Sequence, residues 1–426
     1  MERGVHLHNF SSTDSNDGDG DVGWSNTTIY VYNLINSTTG NDTNSFIQQP
    51  PLVIQILGRV YIISVPTIII LGVIGNILAF CIFASKSLRR TSCSIYLAAR
   101  SFSDSGFLVS LFISWLGDAL KIPIIHVTVM CQLVIFTSYF FAFLSVWLVV
   151  FITMENYIRI CHPFSVAKFC NVQKARQILV VLVLLGVMLY QFALWMTHVD
   201  DFEGSPRCGN KEQLMVVATI VTYGDLIITL VIPSIIILFL MVAITVSLVR
   251  SFKRQFRLKG KKQATGGSSS PAVVANESMN GGTSNNRQNG RKGGSCMRCS
   301  SPQAKVTRLL FAVSFTFLLL SLPSHLVRLR IAMLAMANEN FQTPTVEELI
   351  QVVFQILYYL SFAVNLIVYL SFGESFRSVF IDTYISRFLK KRSARRRSEI
   401  SHTTYTAVKI EQQDYPPREE ETSLVT

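Results

Sequence analysis

The stretch SFSDS, residues Ser101–Ser105, places Asp104 inside a long apolar run, Cys93–Leu116. If that run crosses a bilayer, the charge is costly, since a charged side chain at the membrane centre costs about 2.5–3.5 kcal/mol even on scales derived from helix insertion. Acids at such depth usually face the protein interior, where they pair with other groups or serve a function. The rest of the chain decides whether the run spans a membrane.

The run is one of several apolar segments in a chain of unusual composition. The chain has 426 residues, a mean hydropathy of +0.40 and 15% charged residues, whereas a soluble domain carries about 25%. A membrane-spanning helix needs roughly 20 mostly apolar residues. Seven segments qualify: Ile56–Phe83, Cys93–Leu116, Val129–Thr153, Ile178–Met196, Leu214–Val249, Val306–Met333 and Leu349–Phe372. The composition therefore predicts an all-α membrane protein, a bundle of seven transmembrane helices.

The first fifty residues are polar and contain four glycosylation sequons, at Asn9, Asn26, Asn36 and Asn41. An acceptor motif of this kind indicates a luminal or extracellular location. Residues 1–51 are therefore predicted to form a disordered, glycosylated extracellular tail. No cleavable signal peptide is expected, because the first apolar run is too long for a signal core.

The distribution of lysine and arginine tests this orientation. Basic residues follow the first, third, fifth and seventh segments, whereas the opposite loops are mixed or acidic, as in residues 200–203. The positive-inside rule therefore predicts an extracellular N-terminus and a cytosolic C-terminus. The net charge of +12 would then lie on the cytosolic face of a plasma-membrane protein, where contact with anionic lipid explains it without nucleic-acid binding.

The bundle is expected to occupy residues 52–389. Within it, residues 251–304 are rich in Gly, Ser and Asn and predict a disordered cytosolic loop. Residues 390–426 predict a disordered cytosolic tail. A membrane hydrolase would need clustered metal ligands, but among the seven histidines only His325 lies deep in a segment, so an enzyme is not predicted.

An ordered set of polar, cysteine and proline residues lies along the segments. In chain order the set is Gly75-Asn76, Leu97-Ala98, Asp104, Cys131, Glu155-Asn156-Tyr157, Pro233, Phe317, Leu322-Pro323 and Asn365-Leu366-Ile367-Val368-Tyr369. It resembles the rhodopsin-like (class A) family of G-protein-coupled receptors. Within that family, the stretch SCSIYLAA at residues 92–99 and Tyr358-Tyr359-Leu360-Ser361-Phe362 resemble invertebrate neuropeptide receptors. The resemblance implies a seven-helix bundle followed by a short amphipathic eighth helix near Phe376-Arg377.

The resemblance also implies a function. It implies a receptor that is activated by an extracellular peptide and signals through a heterotrimeric G protein, with arrestin and a receptor kinase as further partners. Two alternatives stay open: an atypical or orphan seven-helix receptor with weak G-protein coupling, and a seven-helix transporter. A transporter is expected to carry an internal repeat and more intramembrane charge, which the sequence does not show.

The chain departs from the family at the activation switch. Asn156 stands where the family has arginine, Ser321 where it has tryptophan, and Leu366 where it has proline. Arg159, one turn beyond Glu155, is a natural replacement partner for that acid. The residues expected to form the G-protein switch are Arg100, Glu155, Asn156, Tyr157 and Tyr369.

Arg100 needs a partner because an unpaired arginine inside a membrane segment is costly. It lies four residues from Asp104, about 6 Å along the same helix face, so Asp104 itself is one candidate. Glu155 at the foot of the third segment is the other, and Arg100 would then supply the cation missing at Asn156. The Asp104 pair needs no assumption about how the helices pack.

The resemblance further implies a disulfide between Cys131, at the outer end of the third segment, and Cys208 in the following outer loop. The predicted topology places these two of the eight cysteines on the extracellular side, where disulfides persist. The bond would hold that loop over the mouth of the bundle.

Asp104 is expected to face polar partners in the bundle interior. The matching residues are Asn76, Ser145, Ser361 and Asn365. In the family this cluster holds a sodium ion and water, and one carboxylate with neutral oxygens suits a hard cation. The expectation is therefore an allosteric sodium ion at Asp104, with a water-filled hydrogen-bond network as the alternative.

The resemblance places a ligand pocket between the outer halves of the second, third, fifth, sixth and seventh segments. Asp225 is an acid within an apolar helix, which either contacts the ligand or pairs with His325 or Arg328. Ser138 stands where amine receptors carry an aspartate, and a mixture of acids, arginine and aromatic residues favours a peptide over a lipid. The candidate pocket residues are Trp115, Asp118, Gln132, Tyr139, Asp225, His325, Arg328, Gln355 and Tyr359.

Overall fold

The computed structural model describes residues 52–120, 122, 127–202, 205–265, 302–337 and 345–386. These ranges contain all seven apolar segments. The predicted N-terminal tail with Asn9, Asn26, Asn36 and Asn41, most of the predicted loop 251–304 and the tail from residue 390 lie outside the described residues.

The apolar segments are helical almost throughout. The main helices are α1 (Leu52–Phe83), α2 (Ser92–Leu120), α3 (Thr128–Cys161), α4 (Val172–Tyr190), α5 (Met215–Asp225), α6 (Ile232–Thr265), α7 (Pro302–Ala337), α8 (Thr345–Ala363), α9 (Asn365–Phe372) and α10 (Glu374–Phe380). A π-helical turn, Leu226–Val231, joins α5 to α6, and a second one, Ile381–Ser386, follows α10. The shorter elements are the helices Pro163–Ser165, Val166–Phe169, Ala193–Met196 and Glu212–Leu214, and the strands β1 (Thr197–Phe202) and β2 (Ser205–Asn210).

Helix α6 continues to Thr265, into the range 251–304 that the sequence assigned to a loop. The first part of that range is therefore helical rather than disordered. The reason is local composition, because the lysines and arginines between Arg250 and Lys262 favour helix, whereas the Gly, Ser and Asn residues that suggested a loop come later.

Five of the described helical spans are long and apolar enough to cross a membrane, with α5 and α6 counted as one span, Val216–Ser251. The pair α8 and α9 meets the same criterion although it is bent by 52°. Helix α2 is not among them, since its serines and its internal charges Arg100 and Asp104 make it too polar. Those charges are instead buried against neighbouring helices.

Helix α3 is the central element and contacts α2, α4, α6 and α7. Because lipid is as apolar as a leucine side chain, membrane helices gain stability mainly from close packing, which small residues permit. Gly72 of α1 illustrates this, since a Cβ atom there would lie 2.7 Å from Cβ of Ala363 in α8. Large apolar side chains such as Leu71 and Phe239 are mostly exposed, as is appropriate for a surface that faces lipid.

The bend between α8 and α9 occurs at Val364 without a proline. The carbonyl oxygen of Phe362, next to the break, accepts hydrogen bonds from Nδ2 of Asn76 at 2.8 Å and from Nδ2 of Asn365 at 3.1 Å. Side chains that satisfy a backbone group near a helix break lower the cost of the break inside a membrane. The two asparagines therefore stabilise the bend, although Leu366 occupies the position where the family has proline.

Strands β1 and β2 form an antiparallel hairpin in which Cys208 lies opposite Val199. The sulfur of Cys208 is bonded to that of Cys131, at the start of α3, which confirms the predicted disulfide. Nε2 of the adjacent Gln132 donates to the carbonyl oxygen of Thr197 at 3.1 Å. Two neighbouring residues of α3 thus anchor both strands. The end of the bundle that carries this hairpin is called the hairpin end below.

Candidate functional site

A cavity of about 30 Å³ lies between the helices in the half of the bundle toward the hairpin end. It has room for a water molecule or two, so a larger ligand requires the helices around it to move apart. Its walls are formed by Tyr139, Ala142, Thr222, Tyr223, Asp225, Leu226, Thr229, Leu230, Arg328, Ala332 and Tyr358. Three of the predicted ligand residues, Tyr139, Asp225 and Arg328, are in this set.

Asp225 is the last residue of α5, directly before the π-helical turn. Its Oδ1 accepts a hydrogen bond from the hydroxyl of Tyr190 in α4 at 2.6 Å and another from the hydroxyl of Thr229 in the π turn at 2.8 Å. Short π-helical turns of this kind are frequent at functional sites. The acid is therefore held by two hydroxyls while it lines the cavity.

Arg328 of α7 lines the same cavity. Its guanidinium donates to Oε1 of Gln355 in α8, and its Cζ lies 5.2 Å from the ring centroid of Tyr358. Hydrogen bonding and a cation–π contact both compensate for the burial of an arginine. A carboxylate on α5 and a guanidinium on α7 therefore face one small cavity.

His325, the other proposed partner of Asp225, does not bond to it. Both ring nitrogens of His325 are buried without a hydrogen-bond partner among the described residues, and the ring packs 5.3 Å from that of Tyr358. His325 and Gln355 do not line the cavity themselves. His325 packs against Tyr358, and Gln355 binds Arg328, and both of these contacted residues line the cavity.

The remaining predicted ligand residues lie elsewhere. Trp115 and Tyr359 pack into an apolar cluster with α1 and α2, and Gln132 holds the hairpin. Asp118 belongs to α2, but its side chain is outside the described residues. These four contribute no described side chain to the cavity.

The structure adds residues that line the cavity or hold its lining side chains and that the sequence reasoning missed. Tyr190 and Thr229 bind Asp225, and Tyr358 contacts both His325 and Arg328. Thr229 could have been found because it lies four residues after the acid, on the same helix face. No sequence pattern pointed to Tyr190, because Asp225, its hydrogen-bond partner, lies on another helix, far away in the sequence.

The polar core lies around Asp104, which is completely buried. The hydroxyl of Ser145 in α3 donates to Oδ1 of Asp104, and Nδ2 of Asn365 in α9 donates to Oδ2 at 2.5 Å. Three of the five predicted members therefore meet. Asn76 instead donates to the carbonyl oxygen of Phe362, and the hydroxyl of Ser361 donates to the carbonyl oxygen of Tyr358 in its own helix.

Arg100 lies beside this carboxylate. Its Nε is 3.4 Å from Oδ2 of Asp104, and the side chain is only 1% exposed. Glu155 is occupied separately, since its Oε1 accepts from Ser92 at 2.7 Å and from Arg159 one turn on. Of the two partners considered for Arg100, the structure pairs it with Asp104.

Residues 75–369 match the family model of the seven-transmembrane receptors of the rhodopsin family. The chain belongs to that family. It is therefore a receptor rather than an enzyme, and it is similar to several curated receptors. It is 24% identical to the thyrotropin-releasing hormone receptor of Ovis aries over 352 residues, which are 80% of this chain and 82% of the relative.

Two further relatives show the same kind of similarity. The thyrotropin-releasing hormone receptor of Homo sapiens is 23% identical over 353 residues, covering 80% of this chain and 82% of its own length. The FMRFamide peptide receptor of Caenorhabditis elegans is 26% identical over 137 residues, covering 30% of this chain and 31% of its own length. The similarity to the mammalian receptors spans most of both chains.

The sodium ion that membership of the family suggests at Asp104 does not fit the residues of this receptor. Both oxygens of Asp104 already face donors, and the buried guanidinium of Arg100 lies next to Oδ2. A sodium ion at the carboxylate would stand beside that guanidinium. Two like unit charges 4 Å apart repel by about 4 kcal/mol at an effective dielectric constant of about 20, which opposes the binding of a second cation.

Four of the five residues predicted for the G-protein switch lie at the end of the bundle opposite the hairpin: Glu155, Asn156, Tyr157 and Tyr369. Asn156 is completely buried, and neither Nδ2 nor Oδ1 has a hydrogen-bond partner among the described residues. The ring of Tyr157 packs 5.6 Å from that of His162, and the ring of Tyr369 packs 5.0 Å from that of Phe83. Arg100 pairs with Asp104 and is also close enough to Tyr369 to interact with it electrostatically.

Proposed function

We propose that this receptor is activated by a peptide and signals through a heterotrimeric G protein. The observation that carries the proposal is the placement of Asp225 and Arg328 on one cavity near the hairpin end. The similarity to receptors for thyrotropin-releasing hormone and for FMRFamide peptides supports it.

The chemistry of the cavity suits a peptide. A carboxylate can bind an amine or guanidinium of a ligand, and a guanidinium can bind a carboxylate or amide carbonyl. The aromatic side chains Tyr139, Tyr223 and Tyr358 supply apolar contact area between the two charges. A lipid tail would offer no partner to either of the two charged groups that line the cavity.

The proposal includes an orientation. A disulfide at the hairpin end favours an oxidising environment, and the basic residues follow the odd-numbered segments, which favours the cytosol for the other end. We therefore place the hairpin end and the N-terminus outside the plasma membrane and the C-terminus inside. Asn9, Asn26, Asn36 and Asn41 would then be available for glycosylation.

A screen of neuropeptides on cells that express the full-length receptor tests the proposal. Calcium and cyclic-AMP signals that depend on both the receptor and a peptide are the expected result. The charge-neutralising variants Asp225→Asn, which keeps the size of the side chain, and Arg328→Gln should each reduce peptide potency at a matched surface level. Equal potency in both variants and the wild type would remove the cavity from the binding site.

One observation favours a second candidate, a receptor with weak G-protein coupling. Asn156 replaces the family's switch arginine and is buried without a described partner. Such a receptor would recruit arrestin, after phosphorylation by a receptor kinase, more efficiently than it activates a G protein. Parallel assays of arrestin recruitment and G-protein activation with the same peptide distinguish the two candidates.

A further inference from the structure

A cationic side chain of the receptor lies beside the buried carboxylate of Asp104. Arg100 lies one turn before Asp104 in α2, and its side chain is only 1% exposed. With Nε at 3.4 Å from Oδ2, the guanidinium supplies the positive charge that a buried carboxylate needs to remain ionised. The carboxylate and guanidinium together carry no net charge.

A second contact places the guanidinium here, although Nε and Nη1 make no hydrogen bond among the described residues. The Cζ of Arg100 lies 5.7 Å from the ring centroid of Phe317 in α7, a separation typical of a cation–π interaction. The arginine therefore has a favourable partner on each side, a carboxylate and an aromatic ring. Rotation out of the core would break both contacts and expose a charge to lipid.

The neutral polar groups around the carboxylate are engaged with protein partners. Oδ1 accepts from Ser145, and Oδ2 accepts from Asn365. The hydroxyl of Ser361 donates to the carbonyl oxygen of Tyr358 in its own helix and makes no hydrogen bond to Asp104. A hard cation such as sodium would need several free oxygen ligands and would also meet the like charge of Arg100.

We propose that the guanidinium of Arg100 is the resident cation of the Asp104 cluster and takes the place of a sodium ion in this receptor. A sodium ion can dissociate, and its occupancy follows its concentration. The side chain of Arg100 is covalently attached, so the charge at Asp104 is balanced at every salt concentration. The stability of this receptor should therefore not depend specifically on sodium.

The unfolding temperature of the purified full-length receptor tests the proposal. It is measured while sodium chloride replaces choline chloride at constant ionic strength, because ligand binding to the native state raises the unfolding temperature in a saturable way. The wild type should unfold at the same temperature in both salts. Arg100→Lys, which keeps the charge, should behave in the same way.

Removal of the internal cation should create a sodium site. Arg100→Ala should be less stable than the wild type in choline chloride and should recover stability as sodium is added, with saturation. The double variant Arg100→Ala, Asp104→Asn is the matched control, and it should show no sodium response because the carboxylate is absent.

Two results would overturn the proposal. One is a saturable sodium effect on the wild type that Asp104→Asn abolishes, since the ion would then bind despite Arg100. The other is a folded Arg100→Ala receptor that does not respond to sodium. If Arg100→Ala does not fold, the titrations of the wild type and Arg100→Lys decide the question, since a saturable sodium response in either contradicts a resident guanidinium.

Discussion

Tyr190 of α4 donates a hydrogen bond of 2.6 Å to Asp225 of α5, and this contact joins two helices at the wall of the cavity. Thr229 donates to the same oxygen at 2.8 Å, and the hydroxyls of Tyr190 and Thr229 lie 2.9 Å apart. The acid is thus held in place before any ligand binds. A ligand amine that approaches Asp225 finds a fixed carboxylate, which lowers the entropic cost of binding.

The first prediction concerns this contact. Tyr190→Phe removes the hydroxyl and keeps the ring, so Asp225 retains only Thr229 of these two donors. Because interhelical hydrogen bonds in membrane proteins contribute about 0.6–2 kcal/mol, the variant should lower the unfolding temperature and reduce peptide potency. Both are measured on purified receptor and on cells with matched surface levels.

Tyr223→Phe is the matched control. Tyr223 lines the same cavity, and its hydroxyl makes no hydrogen bond to the described residues, so its removal should leave the unfolding temperature unchanged. An equal loss in both variants would mean that the cavity responds to any change of polarity rather than to the bond with Asp225.

The second prediction concerns the close approach of α1 and α8 at Gly72. A Cβ atom at this position would lie 2.7 Å from Cβ of Ala363 and 2.7 Å from Cδ1 of Leu108, distances at which the backbones must separate. Gly72→Val should therefore destabilise the receptor by about 1–3 kcal/mol, the usual cost of overpacking. The surface level and the unfolding temperature should both fall.

Gly224 provides the control for the glycine substitution itself. A Cβ atom there meets no atom within 4 Å, and alanine is favoured over glycine in helices by about 0.5–1 kcal/mol. Gly224→Ala should therefore be neutral or slightly stabilising. If Gly72→Val is tolerated as well as Gly224→Ala, the packing of α1 on α8 is looser than the structure indicates.

The third prediction concerns the ion pairs that connect α7 to α10. Glu374 lies 2.6 Å from Nζ of Lys305 and 2.9 Å from Nη2 of Arg308. The hydrogen bond from Lys305, and then the nearby positive charges, lower the pKa of the Glu374 carboxyl below its ordinary value. A lowered pKa contributes stability above the ordinary pKa of about 4.3, and that contribution disappears as the pH falls through the lowered value.

Acidification should therefore destabilise the wild type more than Glu374→Gln, in which no carboxylate is present to protonate. The difference should be small, because all three side chains are partly exposed and exposed ion pairs are weak. Unfolding temperatures measured between neutral pH and a pH of about 3, below the ordinary pKa of about 4.3, check this. Asp382→Asn, a nearby acid without an ion pair among the described residues, should keep the wild-type profile.

The part of the site that could be predicted from the sequence consists mainly of charged residues within apolar runs. Asp104, Asp225 and Arg100 were conspicuous because a charge at membrane depth needs a reason, and helical spacing made Asp104 one of the two candidate partners of Arg100. Most of the membrane-spanning segments were equally accessible from hydropathy and length, although α2 is too polar to meet that criterion.

Most of the site residues that were assigned wrongly have side chains whose direction could not be read from the sequence. Ser361 was grouped with the polar core, but its hydroxyl bonds to the preceding turn of its own helix, an option open to any serine. Tyr359 and Trp115 were assigned to the pocket, but they face an apolar cluster between α1, α2 and α8. Nothing in one sequence states which face of a helix an aromatic residue occupies when all faces are apolar.

The last prediction concerns Asn156, whose amide is completely buried without a hydrogen-bond partner among the described residues. An unsatisfied buried polar group costs about 1–3 kcal/mol, and one that persists in a native structure needs an explanation. We expect the amide to gain its partners in the active state, when the end of the bundle opposite the hairpin engages the G protein.

Asn156→Leu separates stability from signalling. Leucine has a similar size and no polar atoms, so the variant should be more stable than the wild type by about 1 kcal/mol. It should also activate the G protein less at an equal surface level, because the active state loses the contacts of the amide. The unfolding temperature and peptide-stimulated nucleotide exchange on the G protein measure the two effects.

Thr153→Val is the matched control for this substitution. Thr153 lies three residues earlier in α3, is also completely buried, and bonds to the hydroxyl of Ser314 in α7 at 2.7 Å. Its replacement leaves Ser314 without that partner, so the unfolding temperature should fall where that of Asn156→Leu rises. A decrease in the unfolding temperature of Asn156→Leu would mean that the amide is satisfied in the resting receptor. Full signalling by a stabilised Asn156→Leu would mean that the amide has no part in coupling.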